Sequence, residues 1–133
     1  MRTPDAISLQ IRELQRAVAN PEVSAWVAAN AGSGKTHVLA QRVINLLLKG
    51  VPPEKILCIT FTKAAAANMA ERVFSTLGHW VTLDDTGLDA AIKAVGIPHP
   101  DRKIRRDARK LFACASPASR IATSSAASSS VTQ

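Results

Sequence analysis

The residues best suited to chemistry are a run of small residues followed by a lysine and a threonine. The run reads Ala29-Asn30-Ala31-Gly32-Ser33-Gly34-Lys35-Thr36, and it departs from the phosphate-loop pattern G-x-x-x-x-G-K-[ST] only at Ala29. Gly32 and Gly34 allow a tight turn whose backbone N–H groups face one anion. Lys35 supplies an ammonium group for the β- and γ-phosphates, and Thr36 supplies a hydroxyl ligand for Mg²⁺. The pattern predicts a site for ATP and Mg²⁺, in which Lys35 and Thr36 have the catalytic roles.

The segments around this loop predict the elements that would position it. The apolar run Ser24–Ala29 favours a buried strand before the loop, and Lys35–Leu48 has the apolar spacing of a helix that ends at Gly50. Ile56–Phe61 is typical of a second buried strand, and Ala64–Leu77 predicts a helix closed by Gly78. The order strand, turn, helix, strand, helix predicts an α/β fold with a parallel sheet.

The remaining segments predict helices and an unstructured end. Ser8–Ala19, Leu88–Val95 and Arg102–Ala113 have helical patterns. From Ala115 onwards Ser, Ala and Thr dominate, and such a composition cannot bury a core. We therefore expect the tail to be disordered.

The loop and the segment after it resemble two motifs of superfamily 1 DNA helicases of the UvrD/Rep type. The second motif is the block from Ile56 to Arg72, whose centre reads T-F-T-K-A-A-A-A-N-M-A-E-R. Its family form is T-F-T-x-K-A-A-x-E-M-x-x-R, and the two motifs follow one another in the family's order and spacing. The sequence from Ser24 to Leu39 is similar to that of the AddA branch, the helicase–nuclease subunits of double-strand-break repair. Asn68 departs from the family's glutamate before Met69.

This resemblance implies a partial RecA-like lobe in residues 1–83, a basic helical extension in 84–114 and a tail in 115–133. The implied function is ATP-driven translocation on single-stranded DNA in a longer protein, with ATP and Mg²⁺ as cofactors. The implied partners are single-stranded DNA or DNA ends, and a second protein of the AddB type. A non-motor nucleotide-binding module or a defunct remnant is the alternative.

The resemblance also assigns roles to individual residues. Gln15 corresponds to the glutamine that contacts the adenine edge, although a solvated helix residue is an equal interpretation, and Gln10 is a weaker candidate. Phe61 would stack on a base, with core packing as the alternative. His37 falls in the first helical turn, where a structural role is favoured over a catalytic one. The ATP-binding set is Gln15, Ala29, Asn30, Ala31, Gly32, Ser33, Gly34, Lys35, Thr36 and His37; the DNA-binding set is Thr60, Phe61, Thr62 and Lys63.

Other acidic and basic residues are harder to assign. Asp84-Asp85 has the residue types that a motor uses to order Mg²⁺ and activate water, but no apolar strand precedes the pair, so we do not assign it that role. Arg72 and the basic helix Arg102–Lys110 are either nucleotide or DNA contacts or solvated side chains. Arg120–Thr123 resembles the start of a family strand that then passes into Ser-rich sequence, which suggests a frameshifted or truncated reading frame.

Composition excludes some protein classes. The net charge of +7 favours a polyanionic partner. The only cysteines, Cys58 and Cys114, cannot form a disulfide framework, and Cys58 lies in an apolar run that predicts a buried thiol. The N-terminus lacks a signal-peptide pattern and no apolar run is long enough for a bilayer, so we expect a cytoplasmic protein without a membrane partner.

Overall fold

The structure is a computed structural model that describes residues 4–28, 30 and 34–115. Most of these residues belong to five α-helices: α1 (Pro4–Ala19), α2 (Lys35–Leu48), α3 (Lys63–Thr82), α4 (Asp85–Ala94) and α5 (Arg102–Ala115). One 3₁₀ turn, Pro53–Lys55, lies between α2 and α3. Apart from Ala115, which ends α5, the predicted tail 115–133 lies outside the described residues.

The predicted α/β fold, a partial RecA-like lobe with a parallel sheet, is wrong for the described residues, which contain no strand. The segments predicted as buried strands, Ser24–Ala29 and Ile56–Phe61, have no regular structure where they are described. Trp26 is 93% exposed and Ile59 is 84% exposed, and the thiol of Cys58 is also exposed rather than buried. An extended segment needs a neighbouring strand for its backbone hydrogen bonds. The described residues provide none, and apolar composition cannot replace those bonds.

Helix α2 occupies the range that its apolar spacing predicts. Ala40, Ile44 and Leu47 are buried on one face. The turn that closes the helix contains Gly50, which has a φ of 83°. The N–H of Gly50 donates to the carbonyl of Leu47 at 3.0 Å, and the next N–H donates to the carbonyl of Leu46 at 3.1 Å. This pair of bonds satisfies carbonyls at the helix end, and glycine adopts the required left-handed conformation without strain.

Helix α3 is longer than predicted, because it continues through Gly78 to Thr82. A Cβ atom at Gly78 would lie 3.0 Å from Cε2 of Phe112, so the glycine lets the ring of α5 approach the backbone of α3. The additional turn brings Trp80 into the core, where it is 2% exposed. Burial of a large aromatic side chain outweighs the roughly 1 kcal/mol that glycine costs inside a helix.

The core lies between α2, α3, α4 and α5. Its apolar side chains come from one face of each helix, which is the arrangement expected of amphipathic helices packed together. The largest fully buried side chains are Trp80, Ile44, Leu77, Leu88 and Ile92.

Ion pairs join α4 to α5. Arg105 Nη1 donates to both carboxylate oxygens of Asp89 at 2.9 Å, and this hydrogen bonding raises the pKa of the Arg105 guanidinium. Arg109 Nη2 donates to Asp85 Oδ1 at 2.9 Å and to the carbonyl of Leu83 at 3.2 Å. The two contacts fix the orientation of α5 against the start of α4.

The predicted helices Leu88–Val95 and Arg102–Ala113 lie within α4 and α5, apart from Val95, which caps α4.

Candidate nucleotide and DNA site

The candidate phosphate site lies at the N-terminal end of α2. Gly34 is the N-cap, with a φ of 88°, and Lys35, Thr36 and His37 form the exposed first turn. Since glycine has no capping side chain and the first turn has no acidic residue, the helix end keeps its positive partial charge. An anion is the natural ligand of such a helix end. Ala29 and the segment Ala31–Ser33 lie outside the described residues, while Asn30 is described and exposed.

Gln15 lies directly beside Gly34, the N-cap of α2. A Cβ atom added to Gly34 would be 3.1 Å from Gln15 Nε2, and the side chain of Gln15 is half-buried. Gln10, the weaker candidate, is exposed on the same helix. The structure therefore places the amide of Gln15 at the N-terminal end of α2, where it is half-buried. Its predicted contact with adenine stays a prediction.

Two side chains of α2 that the sequence analysis did not identify hold α1 in this position. Arg42 Nη1 donates to the carbonyls of Val18 at 2.8 Å and Asn20 at 2.7 Å, and Nη2 donates to the carbonyl of Val23. Because Val18 lies one helical turn beyond Gln15, these bonds fix the position of Gln15 against Gly34. The only indication of this role in the sequence was the position of Arg42 within an amphipathic helix. Its partners could not be predicted because they are distant in sequence.

Asn45 makes the second such contact from inside the core. Its Nδ2 donates to the carbonyl of Ala19 at 3.2 Å and to that of Val95 at 2.6 Å, and its side chain is 4% exposed. It thereby satisfies carbonyls at the ends of α1 and α4. Burial of an amide among apolar residues is favourable only with such partners. An asparagine within the apolar stripe of α2 was the only signal in the sequence.

A cleft of about 470 Å³ opens beside Lys35. It combines the cationic Lys35 with apolar side chains from both the 24–27 segment and α2. Small-molecule sites have this size and this mixture of apolar walls with few polar groups. Arg42 also lines the cleft, and its guanidinium donates to three backbone carbonyls. Other lining residues are Val18, Ser24, Val27 and Leu39.

His37 and Arg72 line a different cleft. This cleft, of about 620 Å³, lies between α2, α3 and α4, and Asn68 and Glu71 are also on its wall. The structure thus separates His37 from the cleft beside Lys35. This is expected because residues two apart in an α-helix point to different sides of it. The contact of His37 with ATP remains a prediction.

The predicted DNA-contact residues surround the start of α3. Thr62 is the N-cap of α3, and its Oγ1 accepts from the N–H of Ala65 at 3.1 Å. Thr60 Oγ1 donates to the carbonyl of Thr62 at 2.9 Å. Phe61 stands between them with its ring fully exposed, and Lys63 is exposed at the first position of the helix. The structure thus places Phe61 outside the core, and the described segment 56–60 before it forms no strand.

Asp84 and Asp85 have structural partners. Asp84 is the N-cap of α4, and its Oδ1 accepts from the N–H of Gly87 at 2.8 Å. Asp85 pairs with Arg109. Both carboxylates stabilise the α4–α5 region.

The described residues hold no group of three or more His, Cys, Asp or Glu side chains that could bind a metal ion. Thr36, the predicted Mg²⁺ ligand, is exposed in the first turn of α2. None of the described helices has the length and apolar character needed to cross a membrane.

Comparison with known proteins identifies the family. The family model described as UvrD/REP helicase N-terminal domain matches residues 11–112, well over half of the chain. The chain belongs to this helicase family. The match takes in α2 to α4 in full, together with the phosphate loop, the 56–61 segment and most of α1 and α5.

The relatives of this helicase domain are much longer proteins. It is similar to an ATP-dependent helicase/nuclease subunit of Levilactobacillus brevis, with 61% identity over 51 residues that make up 38% of this chain and 4% of that protein. The protein of the same name from Ligilactobacillus salivarius is 49% identical over 59 residues, covering 44% of this chain and 5% of the relative. The Probable DNA helicase II homolog of Rickettsia conorii is 41% identical over 78 residues, 58% of this chain and 12% of the relative. The chain thus spans a small fraction of each relative's length. No solved structure matches the helicase domain.

We expect Gly34→Ala to weaken nucleotide binding by the helicase domain. Alanine at a φ of 88° is strained, and its Cβ would press against Gln15 Nε2. Gly50→Ala is the matched control, because Gly50 has a φ of 83° but nothing within 4 Å of the added Cβ. Both variants should lose about 1 kcal/mol of stability in urea unfolding. Only Gly34→Ala should weaken binding of a fluorescent ATP analogue, and equal affinities in the two variants would contradict the site.

Proposed function

We propose that this chain is the ATP-binding N-terminal part of a UvrD-like DNA helicase, and that it also provides a contact for single-stranded DNA. The observation that carries the ATP assignment is the start of α2, where Gly34 has a φ of 88° and is followed directly by Lys35 and Thr36. A backbone of this shape at a helix N-terminus, with a lysine beside it, is suited to a phosphate group.

The proposed nucleotide site divides the roles among few residues. Gly34 and the backbone of the loop from Ala29 to Ser33 would surround the phosphates, and Lys35 would neutralise their charge. Thr36 would hold Mg²⁺ through its hydroxyl, and Gln15 would orient the base from the side of α1. When bound, Mg²⁺ supplies charge neutralisation for the phosphates. The structure supports this division, because Gln15 lies next to Gly34 and the cleft of about 470 Å³ opens beside Lys35.

The proposed DNA contact depends on Phe61. Its aromatic ring is fully exposed, and contact of an apolar ring with water is unfavourable. Such a ring can stack on any base. Lys63, the first residue of α3, would contact a phosphate. The hydroxyls of Thr60 and Thr62 are engaged locally, so we assign these threonines the task of fixing the backbone on either side of the ring.

The names of the relatives suggest a wider setting. Since several relatives are named as subunits of an ATP-dependent helicase/nuclease, we propose a role in processing DNA ends, with an AddB-type protein as the partner of the full-length chain. A cytoplasmic location belongs to that proposal. The exposed ring of Phe61, inside the second helicase motif, favours the helicase over a non-motor nucleotide-binding module, which has no use for a base-stacking residue.

Single-stranded DNA should bind weakly and with a strong dependence on salt. We expect Phe61→Ala to weaken binding by about 1–3 kcal/mol with little change in the salt slope, because a stacking platform is lost without any charge. Lys63→Gln should instead reduce the slope of log K against log salt by about 0.7, the value for one phosphate contact on a single strand. Fluorescence anisotropy with a labelled oligothymidylate measures both effects.

Circular dichroism melts provide the control for folding. Phe61 is fully exposed, so its truncation should leave the melting temperature unchanged. Phe74→Ala, which truncates a ring packed against the core, should lower it. A Phe61→Ala variant that unfolds, or one that stays folded with unchanged affinity for the oligonucleotide, would refute the stacking role.

A further inference from the structure

Helix α5 carries six basic residues, and the structure divides them into two groups. Lys103, Arg105 and Arg109 are paired with Asp107, Asp89 and Asp85 at 3.2, 2.9 and 2.9 Å. The other three are Arg102, Arg106 and Lys110. Neither Arg102 nor Lys110 has a carboxylate partner within the described part of the chain, and Arg106 reaches only Asp107, at 3.9 Å and with 64% of its side chain exposed.

The three less engaged cations lie on one face of α5. Arg102, Arg106 and Lys110 follow at intervals of four residues, which places them one above another along the helix. A helix rises 1.5 Å per residue, so neighbouring members are about 6 Å apart and the row is about 12 Å long. The opposite side of the helix contains Ala108, which is fully buried, and the partly buried Ile104 and Leu111. The row therefore projects away from the core.

We infer that this cationic row, Arg102, Arg106 and Lys110, binds the phosphate backbone of duplex DNA. The charges are carried by a helix whose position is fixed by the Arg105–Asp89 and Arg109–Asp85 pairs, so their spacing is preset. Duplex DNA presents one charge per about 3.4 Å along each strand, and the row would span three or four phosphates of one strand. Arg105 and Arg109 thus position the helix, and the row makes the contact.

Duplex rather than single-stranded DNA fits this surface for two reasons. The segment Arg102–Lys110 contains no aromatic residue, so it offers no base-stacking platform of the kind that single-strand sites use. The duplex also has the higher linear charge density, which favours a purely electrostatic contact. The inference rests on the proposed function in that the partner is DNA, but it uses a surface separate from Phe61 and Lys63.

The test compares two triple variants of the full 133-residue chain. One is Arg102→Gln, Arg106→Gln and Lys110→Gln. The other removes the same charge from exposed cations elsewhere, Arg12→Gln, Lys55→Gln and Lys93→Gln. Binding of a labelled blunt duplex and of an oligothymidylate is measured by anisotropy without nucleotide at several salt concentrations, and circular dichroism melts confirm that both variants remain folded.

We expect the α5 triple variant to lose roughly tenfold or more in duplex affinity at low salt. Its salt slope should fall by between two and three units, because each lost phosphate contact removes about 0.9. The control variant should keep most of both. Equal losses in the two variants would overturn the inference, since net charge alone would then explain binding. A larger loss on the single strand than on the duplex would overturn the choice of partner.

The Phe61→Ala variant separates this inference from the proposed function. It should weaken binding of oligothymidylate and leave duplex binding unchanged. A silent Phe61→Ala on the single strand counts against the proposed helicase contact, whereas a silent α5 variant on the duplex counts against the cationic row. The single-strand measurement therefore tests the proposed function, and the duplex measurement tests the cationic row.

Discussion

Lys35→Ala should reduce binding of ATP to this chain below detection. Lys35 is the only lysine or arginine in the first turn of α2, and we propose that it contacts the phosphates directly. Hydrogen bonds to charged groups contribute about 1.5–3 kcal/mol each, which corresponds to roughly 10- to 150-fold in affinity for every bond lost. Arg42, the other cation of the adjoining cleft, is held in place by hydrogen bonds to three backbone carbonyls, so we do not expect it to take over.

Titration with a fluorescent ATP analogue in the presence of Mg²⁺ measures this effect. Lys55→Ala removes the same charge from an exposed position outside the helices α1 to α5 and should bind like the unmodified chain. Lys35→Arg should be impaired as well, because a planar guanidinium does not replace a compact ammonium in a narrow loop. Equal affinity in the unmodified chain and Lys35→Ala would refute the phosphate-loop assignment.

Trp80→Ala should destabilise the fold by about 3–5 kcal/mol, the cost of removing a large aromatic side chain from a core. Trp80 is 2% exposed and packs with residues of α2, α4 and α5. Small domains have a total stability of about 5–15 kcal/mol, so much of the folded population is at risk. Urea unfolding followed by circular dichroism gives the free energy of unfolding.

The only other tryptophan provides a matched control. Trp26 is 93% exposed, and Trp26→Ala should change the free energy of unfolding by no more than about 0.5 kcal/mol. The fluorescence of single-tryptophan variants gives independent support: Trp80 in Trp26→Phe should be shielded from acrylamide, whereas Trp26 in Trp80→Phe should be quenched freely. If Trp26→Ala proved as damaging as Trp80→Ala, the 24–28 segment would be buried, in conflict with its exposure in the structure.

The polar contacts between helices explain why α1 belongs to the site at all. The last carbonyls of α1 have no partners within their own helix, and the side chains of Arg42 and Asn45 satisfy those of Val18 and Ala19. The same contacts bring Gln15 to Gly34. The end of one helix is thus both stabilised and positioned by the interior face of the next.

Local sequence patterns determined the helices. The spacing of apolar residues predicted α2 to its observed ends, because residues three and four apart meet on one face of a helix wherever the chain goes. Gly50 marked the end of α2 for an equally local reason, its tolerance of a positive φ. The family resemblance, which depends on residue order alone, was also determined by the sequence and is confirmed by the match over residues 11–112.

Only the tertiary structure decided the features that depend on distant partners. Ile56–Phe61 has the composition of a strand, but a strand needs a neighbour, and none is present among the described residues. Local rules predict a helix end at Gly78. Helix α3 nevertheless continues to Thr82, because the ring of Phe112 packs against Gly78 and the additional turn buries Trp80. The six cations of α5 are alike in sequence, and only the carboxylates of α4 and α5 separate the paired ones from the exposed row. Periodicity reports which face of a segment is apolar, whereas hydrogen bonds and ion pairs between segments depend on how the helices are placed together.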